Sequence, residues 1–574
     1  MSPPLPARPS PAPAALAATL LLAALAWAAV GRAAGPAPRA AERRFTLFYT
    51  AEAHGTLEPC GCTSDPLGDV ARYASVVRAA RKTNDVLLVD AGGLSYPEGG
   101  ASPRERAGND LRAKFLASEL GKLGLAAAGL ADTDLAAGPS AVTPPRLAAN
   151  LPKAPELAPA PSVLRTVGGV RVGVLGVVDP SVASTLGVRA EDPAAAARRE
   201  AANLRKAGAE IVVALAPVDR AVARRLARAA AVDFVVLGRQ VGDGSPRADA
   251  VDHEAGVGDA QHARAFILTP ADELQRVGRV DVTLRGQGAL VDAGGPEATD
   301  LRQAELRRDL ARVDGELASW SRPGCCMGAD PSFIAAKKKE RDALAEESAR
   351  LGAAPWTPPA AGSYFTNRLI PLSRALPRDP AIASAMHALD AQIGKVNLAA
   401  AAPPPPAEPG RPFYVGMDKC ASCHKPAVAF WRTTVHAHAW KTLVDGGKQA
   451  DYKCVGCHVT GYGQVGGTSL GHTKGFENIQ CETCHGPGSE HVAAKGLEDP
   501  PAIQRQTPSP VCTNCHNEHH SDTFNYNAYL RDILGPGHAA SARERMGDGP
   551  TGHSLRSAAL AKAKAAGKAT LRKL

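Results

Sequence analysis

The chain repeats one short motif four times between residues 420 and 516: Cys420-Ala-Ser-Cys423-His424, Cys454-Val-Gly-Cys457-His458, Cys481-Glu-Thr-Cys484-His485 and Cys512-Thr-Asn-Cys515-His516. Two thiols at this spacing add across the two vinyl groups of one porphyrin, and the adjacent imidazole reaches the iron as its proximal ligand. Zinc ribbons and redox dithiols share the Cys-x-x-Cys spacing, but here a histidine directly follows every pair. The motifs therefore predict four covalently attached c-type haems and a mainly α-helical domain whose core the haems fill.

The length and charge of the chain limit the number of its domains and the class of its partners. With 574 residues, the chain is too long for a single core, so we expect two or three domains. The net charge of +9 is modest and spread out, which argues against nucleic acid as a partner. We expect redox proteins as partners instead.

The first 34 residues have the layout of a secretory signal peptide. Arg8 precedes an apolar run from Ala14 to Val30, and small residues follow. The alternative is an uncleaved anchor, because the run is close to the lower limit for a membrane span. Either way we expect a periplasmic or otherwise exported protein.

Residues 43–290 alternate between short β-rich runs and stretches of helical period. The predicted strands are at 45–50, 85–90, 170–178, 211–216 and 234–238, and the predicted helices are at 69–81, 105–123, 194–207 and 219–230. This alternation predicts an α/β domain with a largely buried sheet.

Two stretches of this domain resemble the calcineurin-like metallophosphoesterase domain of 5′-nucleotidases. Thr50-Ala-Glu-Ala-His54-Gly is similar to that family's Asp-x-His-Gly opening, and Gly68-Asp-Val-Ala-Arg72 to its Gly-Gly-x-Ala-Arg. The resemblance implies an α/β sandwich. It also implies a site of two metal ions, for which aspartates and histidines from five strand ends are needed.

The sequence departs from that ligand set. Glu52 replaces the first aspartate although His54 is kept, the bridging aspartate falls at Gly93, and the Asn-His-Glu turn reads Leu130-Ala131-Asp132. The later histidine positions fall near Pro217, Arg239 and Val241. We therefore expect a degenerate domain without phosphoesterase activity, with a single metal ion at His54 and Glu52 as the alternative.

Four cysteines lie outside the haem motifs. Cys60 and Cys62 are separated by one residue, which is too short a gap for the common zinc pairs. We expect a disulfide from this pair to Cys325 or Cys326, since disulfides form in exported proteins. The alternatives are a bond between Cys325 and Cys326, a metal clip, and a redox-active thiol pair.

The remaining segments connect the two domains or end the chain. Residues 297–398 predict a helical hairpin and connector, with Cys325 and Cys326 at the tip. Residues 399–412 are a Pro-rich linker, which favours a semi-rigid polyproline II spacer. Residues 413–574 form the predicted haem domain. Its basic tail, from 555 to 574, is either a weak contact for an anionic membrane surface or acidic partner, or a solvated end.

The haem domain resembles the tetrahaem cytochrome c-554 family. The residues that carry this resemblance are the motifs themselves, Trp431-Arg-Thr-Thr-Val-His436, and the run from Cys481 to His491. The resemblance implies distal iron ligands that pair His491 with His424, His436 with His516, and His538 or His553 with His485. It leaves His458 without a distal ligand, unless His472 fills that place.

These observations favour an exported cytochrome that carries electrons between partner proteins, with the N-terminal domain as a non-catalytic scaffold or docking module. The first alternative is an oxidoreductase that acts on a small nitrogen oxide or hydroxylamine at an open second haem. A redox-linked phosphoesterase or nucleotide-binding protein is a third hypothesis, against which the residues at Gly93, Ala131 and Arg239 argue.

Overall fold

The computed structural model describes residues 42–100, 102–139, 146–151, 157, 159–229, 231–239, 251–255, 264–286, 288–320, 330–353, 355–498, 500–517 and 520–573. The predicted signal peptide at 1–34, Val241, and the pair Cys325 and Cys326 lie outside the described residues. Within the described ranges, every helix is too short or too polar to cross a lipid bilayer.

Two six-stranded sheets form the N-terminal part, and strands and helices are numbered in chain order. The first sheet contains β1 (Arg43–Thr50), β2 (Val86–Asp90), β3 (Leu125–Ala128), β10 (Arg276–Leu284), β11 (Leu290–Asp292) and β12 (Ser363–Pro371). Its spatial order is β11-β12-β10-β1-β2-β3. β1 is parallel to β2 and antiparallel to β10, with Phe45 opposite Val282.

The second sheet contains β4 (Ser162–Val167), β5 (Val170–Gly176), β6 (Ile211–Ala216), β7 (Phe234–Leu237), β8 (Val251–Ala255) and β9 (Arg264–Leu268). Its order is β4-β5-β6-β7-β9-β8, and the four central strands run parallel. All six residues of β6 are buried. Strands that are covered on both faces read as continuous apolar runs, which is why these strands could be predicted.

Helices cover the outer faces of the two sheets, which pack against each other by their inner faces. The helices of this part are α1 (Val70–Ala80), α2 (Arg106–Lys122), α3 (Pro180–Thr185), α4 (Pro193–Lys206), α5 (Arg220–Ala229), α6 (Pro296–Trp320), α7 (Pro331–Ala353) and α8 (Pro380–Ala399). α1, α2 and α8 cover the first sheet, and α4 and α5 the second. Phe365 lies 5.0 Å from Phe234 and 4.7 Å from Phe266, measured between ring centroids, and joins the two sheets. The predicted α/β sandwich is confirmed, with two sheets and four layers.

The hairpin of α6 and α7 is inserted between β11 and β12. Leu306 and Val313 of α6 are fully buried, and Arg302 pairs with Glu347 across the two helices at 2.9 Å. Because β12 pairs with both β10 and β11, the first sheet continues beyond the domain limit predicted at residue 290. The N-terminal domain therefore also includes β12 and α8.

The C-terminal part consists of short helices and loops. The helices are α9 (Met417–Ala421), α10 (Lys425–Trp431), α11 (Ala439–Asp445), α12 (Tyr452–Val455), α13 (Cys481–His485), α14 (Ser489–Ala493), α15 (Ser509–Thr513), α16 (Tyr526–Ile533), α17 (Ala540–Met546) and α18 (Gly552–Lys573). Its apolar cluster of buried residues contains only Val455, Val459 and Leu470 among the described side chains. Such a small core agrees with a domain that prosthetic groups complete.

The linker and the two parts of the chain are in direct contact. The carbonyl of Pro405 in the linker accepts a hydrogen bond from Gly466 N at 2.9 Å. Arg112 of α2 pairs with Asp451 at 2.7 Å, and Lys448 pairs with Glu58 at 2.8 Å. These contacts hold the N-terminal domain against the loop that precedes the second haem motif.

Candidate functional site

Each haem motif starts on a short helix. The first cysteines of the four motifs lie on α9, α12, α13 and α15. In the first motif His424 N donates to the carbonyl of Cys420 at 2.9 Å, and in the fourth His516 N donates to Cys512 at 2.8 Å. One helical turn thus brings two thiols and one imidazole to the same side of the backbone, which suits attachment of a porphyrin.

Two proximal histidines face a second histidine from elsewhere in the chain. The ring centroids of His424 and His491 are 6.2 Å apart with 27° between the ring planes, and those of His436 and His516 are also 6.2 Å apart. Two metal–nitrogen bonds of about 2 Å each, with about 1 Å from each nitrogen to its ring centre, require about 6 Å. Both pairs therefore fit one iron ion between two imidazoles.

Backbone carbonyls orient several of these imidazoles. Nδ1–H donates to a carbonyl in three cases: His458 to Ala439 at 2.6 Å, His485 to Gln504 at 2.8 Å and His491 to Glu498 at 2.8 Å. A histidine held in this way presents its unprotonated Nε2 on the opposite side of the ring, where a metal ion binds.

Burial also keeps two of the rings in the form that binds iron. It lowers the pKa of His436, and it lowers the pKa of His516 to about 4, with the neighbouring His436 as a smaller cause. Both imidazoles are therefore neutral at pH 7. Neutral imidazole has the lone pair that a metal ligand needs.

The remaining two motifs differ from each other. His538 lies close enough to His485 for their charges to interact, whereas the His553 side chain is exposed and its backbone N–H is bonded to Asp532. His472 is exposed in a turn, and among the described residues no ring contact joins His458 to a second histidine. Among the described residues, the structure thus brings His538 towards the third motif and shows no ring paired with the second.

The four motifs lie next to one another. The thiols of Cys420 and Cys481 are close enough to alter each other's pKa, and so are those of Cys457 and Cys515. The first motif is therefore adjacent to the third, and the second to the fourth. Short separations of this kind suit electron exchange between neighbouring haems.

The N-terminal domain brings together a small group of possible metal ligands at the end of β1. Donor atoms of Glu52, His54 and Glu98 lie within 4.8 Å of one another. Glu52 and His54 have φ angles of 49° and 52°, a left-handed conformation that non-glycine residues rarely adopt. Glu98 was missed in the sequence because it lies in a loop outside the recognised motif.

The position of the bridging ligand cannot take a side chain without a rearrangement. A Cβ at Gly93 would lie 3.1 Å from Glu52 Cα and 3.3 Å from Glu52 Cγ. Glu52 therefore occupies the space that a carboxylate at position 93 would need.

An internal ion pair supports the neighbouring loops. Asp134 and Arg146 are fully buried and 3.0 Å apart, and Asp134 also accepts hydrogen bonds from Gly93 N and Ala131 N at 3.0 Å. Asp132, the carboxylate expected near this turn, instead caps a short helical turn by accepting from Thr133 N. Sequence reasoning missed Asp134 and Arg146, because neither matches a ligand position of the resembled family.

Asp90, at the end of β2, is also buried in this region. Burial raises its pKa to about 7, although Thr50 Oγ1 and Gly92 N donate to its two oxygens at 2.7 and 2.9 Å. These hydrogen bonds anchor the β2 end to β1. Arg239, at one of the substituted histidine positions, forms an ion pair with Asp179 at 3.5 Å.

Comparison with known proteins finds similarity in both parts of the chain. Residues 419–486 match the family model described as cytochrome c554 and c-prime. Cytochrome c-554 of Nitrosomonas europaea is 37% identical over 91 residues, which cover 13% of this chain and 39% of that relative. The chain therefore matches well under half of the length of this curated relative.

Two solved structures have similarity to different parts of the chain. The 5′-nucleotidase precursor from Thermus thermophilus is 22% identical, with a TM-score of 0.36, over 42% of this chain and 51% of the nucleotidase. Reduced cytochrome c554 from Nitrosomonas europaea is 30% identical, with a TM-score of 0.15, over 18% of this chain and 65% of the cytochrome. The resemblance to the cytochrome c-554 family is confirmed for the matched residues, which implies covalently bound c-type haem. Residues 419–486 of this chain thus match the cytochrome c554 and c-prime family model.

Proposed function

We propose that this protein is an exported tetrahaem c-type cytochrome that carries electrons between redox partner proteins. The observation that carries the proposal is the pair of facing imidazoles at two motifs, His424 with His491 and His436 with His516, each 6.2 Å apart. If the two imidazoles of each pair both bound one haem iron, no ligand place would remain there for a substrate, and such a haem would serve electron transfer. Bound haem supplies reversible one-electron exchange.

In this proposal the protein residues attach, orient and shield the haems. Thioether bonds form at the eight motif cysteines: Cys420, Cys423, Cys454, Cys457, Cys481, Cys484, Cys512 and Cys515. The proximal ligands are His424, His458, His485 and His516, and the distal ligands are His491, His436 and His538. The carbonyl partners of Nδ1 hold the rings of His458, His485 and His491 in one tautomer.

The N-terminal domain serves as a scaffold or docking module and has no phosphoesterase activity. Glycine at position 93 and alanine at position 131 remove two ligands of the two-metal site, and Arg239 puts a cation where a ligand would stand. The contacts that support a scaffold role are the ion pairs Arg112 with Asp451 and Lys448 with Glu58. They connect this domain to the segment that begins the second haem motif.

Export follows from the proposed leader at 1–34 and from the attachment chemistry, since c-type haem is attached outside the cytoplasm. Redox proteins are the proposed partners. We also propose that the basic residues of the C-terminal tail make weak contact with an anionic membrane surface. Nucleic acid is not a proposed partner.

A second candidate function is reduction or oxidation of a small nitrogen compound at the second haem. It is favoured by the exposed position of His472 and by a proximal His458 whose ring contacts, in the part of the chain that the structure describes, include no second histidine. An iron with one open axial position can bind a small molecule.

One set of spectroscopic measurements tests both functions. A haem assay on the purified holoprotein counts the haems, and electron paramagnetic resonance of the oxidised protein counts those that are high-spin. Four low-spin haems that do not bind carbon monoxide support electron transfer alone. One high-spin haem that binds carbon monoxide, and still does so after His472→Ala, supports the second candidate. Fewer than four haems would contradict the tetrahaem proposal.

A further inference from the structure

Cys60 and Cys62 form a pair of thiols that the haem motifs do not use. Their Sγ atoms are 2.8 Å apart. Gly61 between them offers no side chain to hinder ring closure. Cys60 is exposed and Cys62 is half-buried. The pair can therefore react internally, while one of its members stays within reach of solvent.

Both domains hold the loop that carries this pair. Arg374 Nη2, from the N-terminal domain, donates to the carbonyl of Gly61 at 3.1 Å. Arg556 of α18 donates to the carbonyl of Cys62 at 2.5 Å, and Ser64 N donates to Asp522 at 3.0 Å. The loop is thus part of the interface between the two domains.

The thiol pair lies beside the second and fourth haem motifs. Cys454 and Cys457 are near enough to act electrostatically on Cys62, and Cys60 acts likewise on Cys454. Cys457 lies close enough to Cys515 of the fourth motif to have its pKa lowered by that thiol. Since the same interface also contains Arg556, whose charge reaches His516, the pair is close to two haem positions at once.

The surroundings of Cys60 favour thiol chemistry. A hydrogen bond from Cys62 lowers the pKa of Cys60, and the adjacent His520 lowers it further. A thiol with a lowered pKa forms the reactive thiolate at neutral pH. His520 is also placed to accept the proton that Cys60 loses.

A structural metal ion explains this pair less well. In the described part of the chain, the group of three metal-ligating side chains with donor atoms within 4.8 Å of one another is Glu52, His54 and Glu98. Neither cysteine belongs to it, and His520 does not complete a compact site with them.

We propose that Cys60 and Cys62 are a redox-active dithiol that delivers two electrons to the haems of the second and fourth motifs. This inference rests on the proposed cytochrome function. On oxidation both S–H bonds break and one S–S bond forms. One proton passes to His520 and one to solvent, and the two electrons reduce two ferric haems by one electron each. An external thiol regenerates the dithiol: one thiolate attacks the exposed Cys60 to form a mixed disulfide and releases the Cys62 thiol, and a second thiol then releases Cys60 and leaves as the external disulfide.

The first test reads the thiols directly. The full-length holoprotein is prepared anaerobically with its haems either ferric or ferrous, free thiols are alkylated, and the peptide that contains residues 60 and 62 is analysed by mass spectrometry. We expect both cysteines to be joined to each other in the ferric protein and alkylated in the ferrous protein. Free thiols in both states, a link from Cys60 to Cys325 or Cys326, or a stoichiometric bound zinc ion would each overturn the proposal.

The second test reads electron delivery. One equivalent of tris(2-carboxyethyl)phosphine is added anaerobically to the ferric protein, and haem reduction is followed in the visible spectrum. Cys60→Ser and Cys62→Ser should each slow the reduction about tenfold or more. The matched control is the double variant Cys325→Ser/Cys326→Ser, which should reduce at the wild-type rate. Equal rates in all variants would refute the dithiol.

Failure of the inference can be told apart from failure of the proposed function. If the haems of Cys60→Ser still accept and return electrons reversibly while the wild-type thiols stay free in both states, the cytochrome function stands and the dithiol is refuted. If the wild-type protein carries no reducible haem, the proposed function fails, and the inference fails with it.

Discussion

The ion pair between Arg112 and Asp451 offers the sharpest test of the proposed docking role of the N-terminal domain. The two side chains are 2.7 Å apart, and only 11% and 12% of their surfaces are exposed. Asp451 also caps α12, the helix of the second haem motif, by accepting from Lys453 N at 3.0 Å. Arg112→Ala therefore leaves a carboxylate that is largely buried, unpaired and close to the motif.

Removal of one partner from a buried ion pair costs about 3 kcal/mol or more. If opening of the interface exposes α12, a loss of about 3 kcal/mol lowers the protection of its amides against hydrogen exchange about a hundredfold. Arg106→Ala is the matched control on the same helix. Its pair with Asp110 is 3.1 Å long but has 43% and 34% of its side chains exposed, so its loss costs less than about 0.5 kcal/mol.

Hydrogen exchange of the holoprotein, followed by mass spectrometry of the peptide over residues 447–455, measures this difference. A double variant, Arg112→Ala with Asp451→Asn, removes the unpaired charge and keeps an oxygen for the helix cap, so it should regain part of the protection. If Arg112→Ala changes protection no more than Arg106→Ala, the pair does not hold the domains together, and the docking argument is wrong.

Three further predictions address other parts of the molecule. His491→Ala should convert one low-spin haem into a high-spin haem that binds carbon monoxide, whereas His438→Ala, the control, should leave the spectrum unchanged; an unchanged spectrum in both would contradict the proposed ligand. Because the pKa of Asp90 rises from 3.8 to about 7 on folding, its ionisation opposes folding, and stability falls as the pH rises from about 4 to 7. Urea unfolding measured between pH 4 and 7 gives the free energy of unfolding, and Asp90→Asn should remove up to about 4 kcal/mol of its fall across this range. Asp281→Asn, at a half-exposed position, is the control and should leave the fall unchanged. If the free energy of unfolding changes with pH in parallel for wild type and Asp90→Asn, the assignment to Asp90 is wrong. Gly93→Ala should lower the stability of the N-terminal domain by about 1 kcal/mol or more, because φ is +72° there and its new Cβ would lie 3.1 Å from a neighbouring Cα; an unchanged unfolding midpoint would show that the loop can relax.

The local elements of the fold could be predicted from the sequence, whereas the long-range pairings could not. The predicted strand at 211–216 coincides with β6, and the predicted helix at 194–207 lies within one residue of α4 at each end, because burial imposes a regular period on each segment. β12 was missed because its partners β10 and β11 precede it by the whole length of the hairpin. Sequence periodicity carries no information about such a distant partner.

The same distinction between local and long-range features applies to the candidate site. The attachment residues of the haem motifs are neighbours in the chain, so their chemistry follows from their spacing. The proposed distal ligands His491 and His436 came from a family resemblance, since nothing in their local sequence distinguishes them from other histidines. Cys60 acts electrostatically on Cys454, a residue almost 400 positions away in the chain, and Asp134 meets Arg146 only after folding.

The hairpin of α6 and α7 leaves and re-enters the first sheet at neighbouring strands. Trp356 Nε1, after the hairpin, donates to the carbonyl of Ala293, before it, at 2.8 Å, so its base is closed independently of its length. The cost of closing a loop rises only with the logarithm of its length. The hairpin can therefore grow, shrink or be exchanged during evolution without changing the strand register. Its helices of 25 and 23 residues are each about 35 Å long. Natural variation in this protein should therefore concentrate in the length of the hairpin, whereas the first sheet should keep its strand order and register.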